Sequence, residues 1–256
     1  MLKAFFDVSG SLNQKPNIVM AGYISTVERW EKFSDEWQAA LDLPPAIKYF
    51  KVREALLLRE QFDGWSRQDA DARAEYFTNA ATNYPIGGFA VIIPASLYLQ
   101  YVRGRIPEEM DHPFYFVFLA CIELVSKTIG SMGITGPVDF VFDTENLEPT
   151  ARFLLEQFKR WPWKHSDIVG ELDFRDDTKV LPLQSADMAA WFLRNSVDNP
   201  ETEIHEYMSM NVKPPMLIAS YTEEKLIGYM RRFHEQLASI DPTGELLKSL
   251  GKQEPI

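Results

Sequence analysis

The sequence predicts an α/β fold: a mixed sheet flanked by helices, with a helical insertion after the second strand. Three observations carry this. Two apolar runs near the N-terminus are separated by a short polar turn, as in a hairpin. Helical periodicity then occupies residues 27 to 82. From residue 86 onwards, strand-like runs alternate with helical patterns, which is how α/β layers are written in sequence.

The elements follow in order. Leu2 to Val8 reads as a strand, and Asn13 to Asn17 as a polar turn. Ile18 to Ile24 is a second strand, antiparallel to the first. Residues 27 to 42 space Trp30, Phe33, Trp37, Ala40 and Leu41 by threes and fours, an amphipathic helix capped by Ser25 or Thr26. Pro44-Pro45 stops it. Ile47 to Val52 is expected to be a short extended piece. Residues 66 to 82 are helical, with Ser66 and Asp69 in a capping pattern. Ile86 to Pro94 is a strand. Residues 113 to 130 form a long apolar helix with proline in its first turn. Gly136-Pro137 introduces a strand ending at Asp143. Leu147 to Phe158 is a helix, Ile168 to Phe174 a strand and Gln184 to Asn195 a helix. A further helix covers about residues 222 to 238. The expected organisation is one domain over residues 1–240, with the insertion at about 27–85 and a loose C-terminal tail over 241–256.

Composition narrows the function. At 46% hydrophobic and 13% aromatic, the chain can bury a sizeable core. Its longest apolar run, Phe114 to Val125, falls short of a membrane span and is broken by Glu123, so no membrane is expected. The N-terminus shows no basic segment followed by a long apolar core. Cys121 stands alone in an apolar helical pattern, an inert buried thiol, which fits a reducing cytoplasm. The net charge of −11 counts against tight non-specific binding to DNA or RNA. It permits a nucleic-acid enzyme only if a local basic surface or bound cations reverse the sign at the site.

The chemistry lies in three aspartates. Asp7 closes the first strand run, Asp143 closes the run Val138-Asp139-Phe140-Val141-Phe142-Asp143, and Asp187 opens a helix. Acids from two strand ends and a helix can converge on one point and hold Mg²⁺ or Mn²⁺, which take hard oxygen ligands. Such ions hydrolyse phosphodiesters. Each acid also has an ordinary role open to it. Asp7 can cap the backbone amides of Ser9 or Gly10. Asp143 can lead into the following helix, and Asp187 can complement a helix dipole. Glu123, a lone acid in an apolar helix, is a fourth candidate ligand or a solvated residue on an amphipathic face. Glu145 and Glu54 are weaker ones. Ser9 and Gln184 are second-tier site residues, Gln184 sharing a helix face with Asp187. Lys179 can meet a phosphate or stand in solvent.

Other chemistries are set aside. His112, His165, His205 and His234 lack ligand spacing for zinc. There is no Gly-x-Ser-x-Gly elbow, and Gly87-Gly88 lacks the lysine of a phosphate loop. Trp161 to His165 is an aromatic-basic cluster, either a base-stacking surface or an aromatic plug between elements.

With the insertion set aside, the element order is βββαβαβα, that of the ribonuclease H fold. The segments Phe6-Asp7-Val8-Ser9-Gly10-Ser11, Val141-Phe142-Asp143 and Leu183-Gln184-Ser185-Ala186-Asp187-Met188-Ala189-Ala190 resemble the motifs of the domain of unknown function 3800 family, grouped with the ribonuclease H-like superfamily. The resemblance implies a ribonuclease H-like sheet and a nuclease-like carboxylate site. It departs from the family at Val8, where an acid is usual. Three functions follow as expectations: a metal-dependent nuclease or phosphodiesterase, a small-molecule phosphohydrolase on the same site, and a catalytically inactive scaffold that binds a protein partner.

Overall fold

A computed structural model describes residues 1–13, 15–143, 147–160, 165–201 and 216–240. Among the described residues, six strands form one sheet: β1 (Leu2–Ser9), β2 (Asn17–Thr26), β3 (Gly87–Pro94), β4 (Val138–Asp143), β5 (Val169–Arg175) and β6 (Met216–Ser220). Their spatial order is β5-β4-β1-β2-β3-β6. The first three strands are antiparallel neighbours. β4 runs parallel to β1, β5 parallel to β4, and β6 parallel to β3. The helices are α1 (Val27–Asp42), α2 (Val52–Leu57), α3 (Arg67–Asn83), α4 (Ala95–Tyr101), α5 (Pro113–Ser131), α6 (Glu148–Arg160), α7 (Leu181–Asp198) and α8 (Glu223–Ile240).

Alternation along the strands divides the apolar residues between two cores. On one face Ala4, Phe6, Ile18, Met20, Val91, Phe140 and Phe142 pack with α4, α5, α6 and α8. On the other, Phe5, Val19, Ala21, Tyr23, Ala90 and Val141 pack with α1, α2, α3 and α7. The inserted helices are therefore part of the second core. Trp37, Phe50 and Phe77 meet at its centre, Phe50 stacking on Phe77 with centroids 4.3 Å apart. Each such ring, fully buried, contributes about 1.5–3 kcal/mol of apolar transfer energy. Gly22 on β2 pairs with Phe6 on β1. A Cβ there would sit 1.9 Å from the Phe5 carbonyl oxygen.

Most expected elements appear. Thr26 caps α1 by accepting from Arg29 N, and Ser66 caps α3 by accepting from Asp69 N. Three features differ. Residues 47–51 form no strand, because this stretch is spent turning from α1 into α2 and burying Ile47 and Phe50. α2, α4 and β6 were not anticipated. The five residues of β6 are too few to display a period, and parallel pairing to β3 makes them a strand. α5, at 19 residues, is longer than the run Phe114 to Val125 and is apolar enough to cross a membrane by length and composition alone, a test that the buried core helix of a globular protein also passes. Most of its side chains are buried between the sheet and its neighbouring helices. Cys121 sits there fully buried, and burial raises its thiol pKa well above the ordinary range. Glu145, Trp161 to Lys164, His205 and the tail over 241–256 lie outside the described residues.

Candidate metal centre

Asp7 and Asp143 stand together because β1 and β4 run parallel with Phe6 beside Phe142. Each acid is the next residue on its strand. Phe6 and Phe142 enter the core under α5, so Asp7 and Asp143 project to the opposite face. β5 continues the sheet beyond β4, with Arg175 opposite Asp143. Past β5 the chain turns through Asp176, Asp177 and Thr178. Thr178 N donates to Asp176 Oδ1 at 3.0 Å, and Asp177 N donates to Asp143 Oδ1 at 3.0 Å. This turn delivers the Asp177 carboxylate to the same point. Carboxylate oxygens of Asp7, Asp143 and Asp177 lie within 4.8 Å of one another, a group able to hold a metal ion. Asp7 and Asp177 are buried and Asp143 is half-buried.

Asp187 joins from α7, which packs across β1 and β2. It is near enough for its charge to act on Asp7, but it is not one of the three acids whose oxygens converge within 4.8 Å. Burial, then the negative charges of Asp187 and Asp143, hold the Asp7 carboxyl well above the ordinary range; the Val8 amide, donating to Asp7 Oδ1 at 2.6 Å, acts the other way. Burial also raises Asp187, opposed by Lys51 and reinforced by the charge of Asp177. So the Asp7–Asp187 pair retains a proton more readily than separate carboxylates do, as like charges in a desolvated site must.

Lys51, the residue before α2, supplies positive charge. Its Nζ lies 2.8 Å from Asp177 Oδ2, a charge–charge contact made off the hydrogen-bond angle. Burial pulls the Lys51 pKa down, but the Asp177 contact and the charges of Asp187 and Asp7 outweigh it and raise it. Glu54, one turn along α2, accepts from the Tyr49 hydroxyl through Oε1 and adds to the negative field on Asp187. Its Oε2 is buried without a hydrogen-bond partner among the described residues.

The second-tier residues separate clearly. Gln184 is 1% exposed, and its side-chain bonds go to protein groups. Its Oε1 accepts from Trp37 Nε1 at 2.8 Å and from Phe50 N at 3.0 Å, and its Nε2 donates to the Asp177 carbonyl at 3.1 Å. It thus ties α1 and the approach to α2 to the Asp177 turn, making it a positioning residue. Ser9 Oγ accepts from Arg194 Nε at 2.9 Å. Glu123 does not join the cluster: α5 packs on the opposite face of the sheet, and Glu123 pairs there with Lys127. Lys179 is exposed and pairs with Asp176 at 2.9 Å, pointing its charge into solvent.

Asp177 and Lys51 were not singled out by the sequence. A signal for Asp177 existed: it lies just past the end of a strand, as Asp7 and Asp143 end theirs. Consecutive aspartates in a turn read first as solvated residues. Lys51 carried no local signal, because its position depends on how the insertion docks. The chain matches no protein-family model and no curated protein.

Proposed function

We propose that this chain is a divalent-metal-dependent phosphodiester hydrolase of ribonuclease H-like fold, related to the domain of unknown function 3800 family. The observation that carries the proposal is the convergence of Asp7, Asp143 and Asp177 within 4.8 Å, with Asp187 beside them. Buried like charges are costly unless a cation or a proton neutralises them. An all-carboxylate donor set suits Mg²⁺ or Mn²⁺ rather than zinc.

The fold supports the same reading. Three antiparallel strands are followed by two that add in parallel beside β1, with helices on both faces. The departure at Val8 leaves the cluster intact, because Val8 packs against the α5 core on the far side of the sheet. An acid at that position would face away from Asp7.

Asp7, Asp143, Asp177 and Asp187 would hold the ions, which when bound activate water and neutralise charge at phosphorus. The remaining work belongs to the chain. β1 and β4 fix the spacing of Asp7 and Asp143 through the sheet. Gln184 and the Asp143 carboxylate hold the Asp177 turn by its backbone. Burial holds the Asp7 and Asp187 carboxyls above the ordinary range, and a bound cation would favour their ionised forms. Lys51 balances part of the charge in the metal-free protein and is placed to meet an anionic substrate.

The test is calorimetric titration of Mn²⁺ into wild type and Asp7→Asn at low salt, followed by hydrolysis of bis(p-nitrophenyl) phosphate. Saturable binding in wild type, lost in the variant, with metal-dependent hydrolysis, supports the proposal. No binding to wild type at millimolar Mn²⁺ overturns it and favours the scaffold reading.

A further inference from the structure

A cleft of about 480 Å³ opens between the β1–β2 turn, α2 and α7. Its walls are built from β1, α2 and α7; β1 and α7 also carry Asp7 and Asp187 of the carboxylate cluster. Ser9 lies two residues beyond Asp7 on the same face of β1, roughly 6.5 Å along the strand. Trp191 and Arg194 follow Asp187 by one and two turns of α7, on the same helix face. Arg53 stands between Lys51 and Glu54 in sequence. The turn at its rim needs Gly10, whose φ is +99° and whose Cβ would lie 2.4 Å from the Asn17 carbonyl oxygen.

The charge of this cleft is opposite to that of the molecule. The chain carries 37 acids and a net charge of −11. Yet the described residues lining the cleft include Lys15, Arg53 and Arg194 and no acid. Arg194 is buried and neutralised by Asp198 at 3.0 Å. Lys15 and Arg53 are exposed and have no ion-pair partner among the described residues. Two uncompensated cations facing a common space attract anionic groups such as phosphate. The half-buried Trp191 adds an aromatic surface to the same walls, and Asn195 and the serines add hydrogen-bonding groups.

We propose that this cleft binds a single-stranded polynucleotide, its phosphates on Lys15 and Arg53 and a base stacked on Trp191, and feeds the strand to the carboxylate cluster. The proposal rests on the hydrolase reading for what happens next, but not for the binding itself. Stacking on a tryptophan requires an unstacked base, which a duplex does not offer. The small number of free cations and the acidic remainder predict modest, salt-sensitive affinity.

The experiment is fluorescence polarisation of 5′-fluorescein-labelled oligothymidylate and oligouridylate, without metal, over a range of salt. Wild type is expected to bind at least one of them, with a duplex of equal length competing poorly. Lys15→Glu/Arg53→Glu should lose about ten-fold or more in affinity, and its log–log salt slope should become shallower by about 1.4, the value for two phosphate contacts on a single strand. Arg231→Glu/Arg232→Glu, two exposed reversals on α8 across the sheet that change the net charge by the same amount, should stay within about two-fold and exclude a net-charge effect. Trp191→Ala should cost about five-fold or more. Absence of binding by wild type, an unchanged slope in the double variant, or equal competition by duplex overturns the proposal. Manganese titration of the same wild-type sample separates the two readings. Metal binding without oligonucleotide binding sinks only the cleft, and the reverse sinks only the hydrolase.

Discussion

Replacing Gln184 with leucine tests whether the insertion governs the carboxylate site. Leucine is close in size and fits the apolar surroundings of Trp37 and Phe50, so little cavity is made. What it removes is three hydrogen bonds, at 2.8, 3.0 and 3.1 Å. A neutral hydrogen bond is worth about 1 kcal/mol net, and a buried group left without a partner costs about 1–3 kcal/mol. The Trp37 and Phe50 N–H groups and the Asp177 carbonyl would all lose their partner. The expected destabilisation is therefore about 3–9 kcal/mol, a large part of the roughly 5–15 kcal/mol typical of a domain. Urea unfolding followed by circular dichroism should show a lower midpoint with an unchanged slope. The Asp177 turn should also loosen, so Mn²⁺ affinity should fall about ten-fold or more, as for other supports of metal ligands. A loss under about 1 kcal/mol, with Mn²⁺ affinity intact, would refute the idea that Gln184 couples the insertion to the site.

Three further outcomes are expected. The raised Asp7 carboxyl weakens the metal-free fold at neutral pH, because the unfolded chain ionises it more easily. This penalty is absent below the unfolded value of 3.8, grows as pH rises towards the folded value and is full above it. Asp7→Asn should thus unfold at higher urea than wild type at pH 7, with the gap closing as pH falls towards 4; a widening gap would contradict this. Lys51→Met removes a partly screened ion pair and should cost about 1–2 kcal/mol in metal-free urea melts, a loss that saturating Mn²⁺ shrinks if the ion replaces the lost charge. Gly22→Ala forces a Cβ into the β1 backbone. It should cost about 3 kcal/mol or more, or yield no soluble protein, and a melting temperature within 2 °C of wild type would show that β1 and β2 can separate there at little cost.

Local pattern revealed much of the architecture because the helices obey the 3.6-residue period and carry their own caps, as at Thr26 and Ser66. It found Asp7 and Asp143 because a polar residue closing an apolar strand stands out. It found Asp187 as an acid near the start of an apolar helical pattern, which the resemblance of short motifs then reinforced. Local pattern does not reveal which strand ends lie side by side. Asp177 belongs to the cluster because β5 pairs with β4 in parallel, a long-range fact. Glu123 shows the converse. A lone acid in an apolar helix drew notice, but its place was decided by which face of the sheet α5 covers. Lys51 and Gln184 depended on how three inserted helices dock against α7, and no window of sequence contains that.

The way the site draws its groups together has a kinetic consequence. Ser9 and Arg194, which touch, are 185 residues apart in the chain. The acids come from β1, β4, the turn after β5 and α7, so no fragment contains the cluster. Contacts of such high sequence separation are costly to close and are expected to form late. A cation held by these acids would then act on the finished structure and not on the barrier leading to it. Added Mn²⁺ should slow unfolding in a chevron experiment and leave the refolding limb unmoved. A faster refolding limb would mean that the acids are already assembled at the barrier.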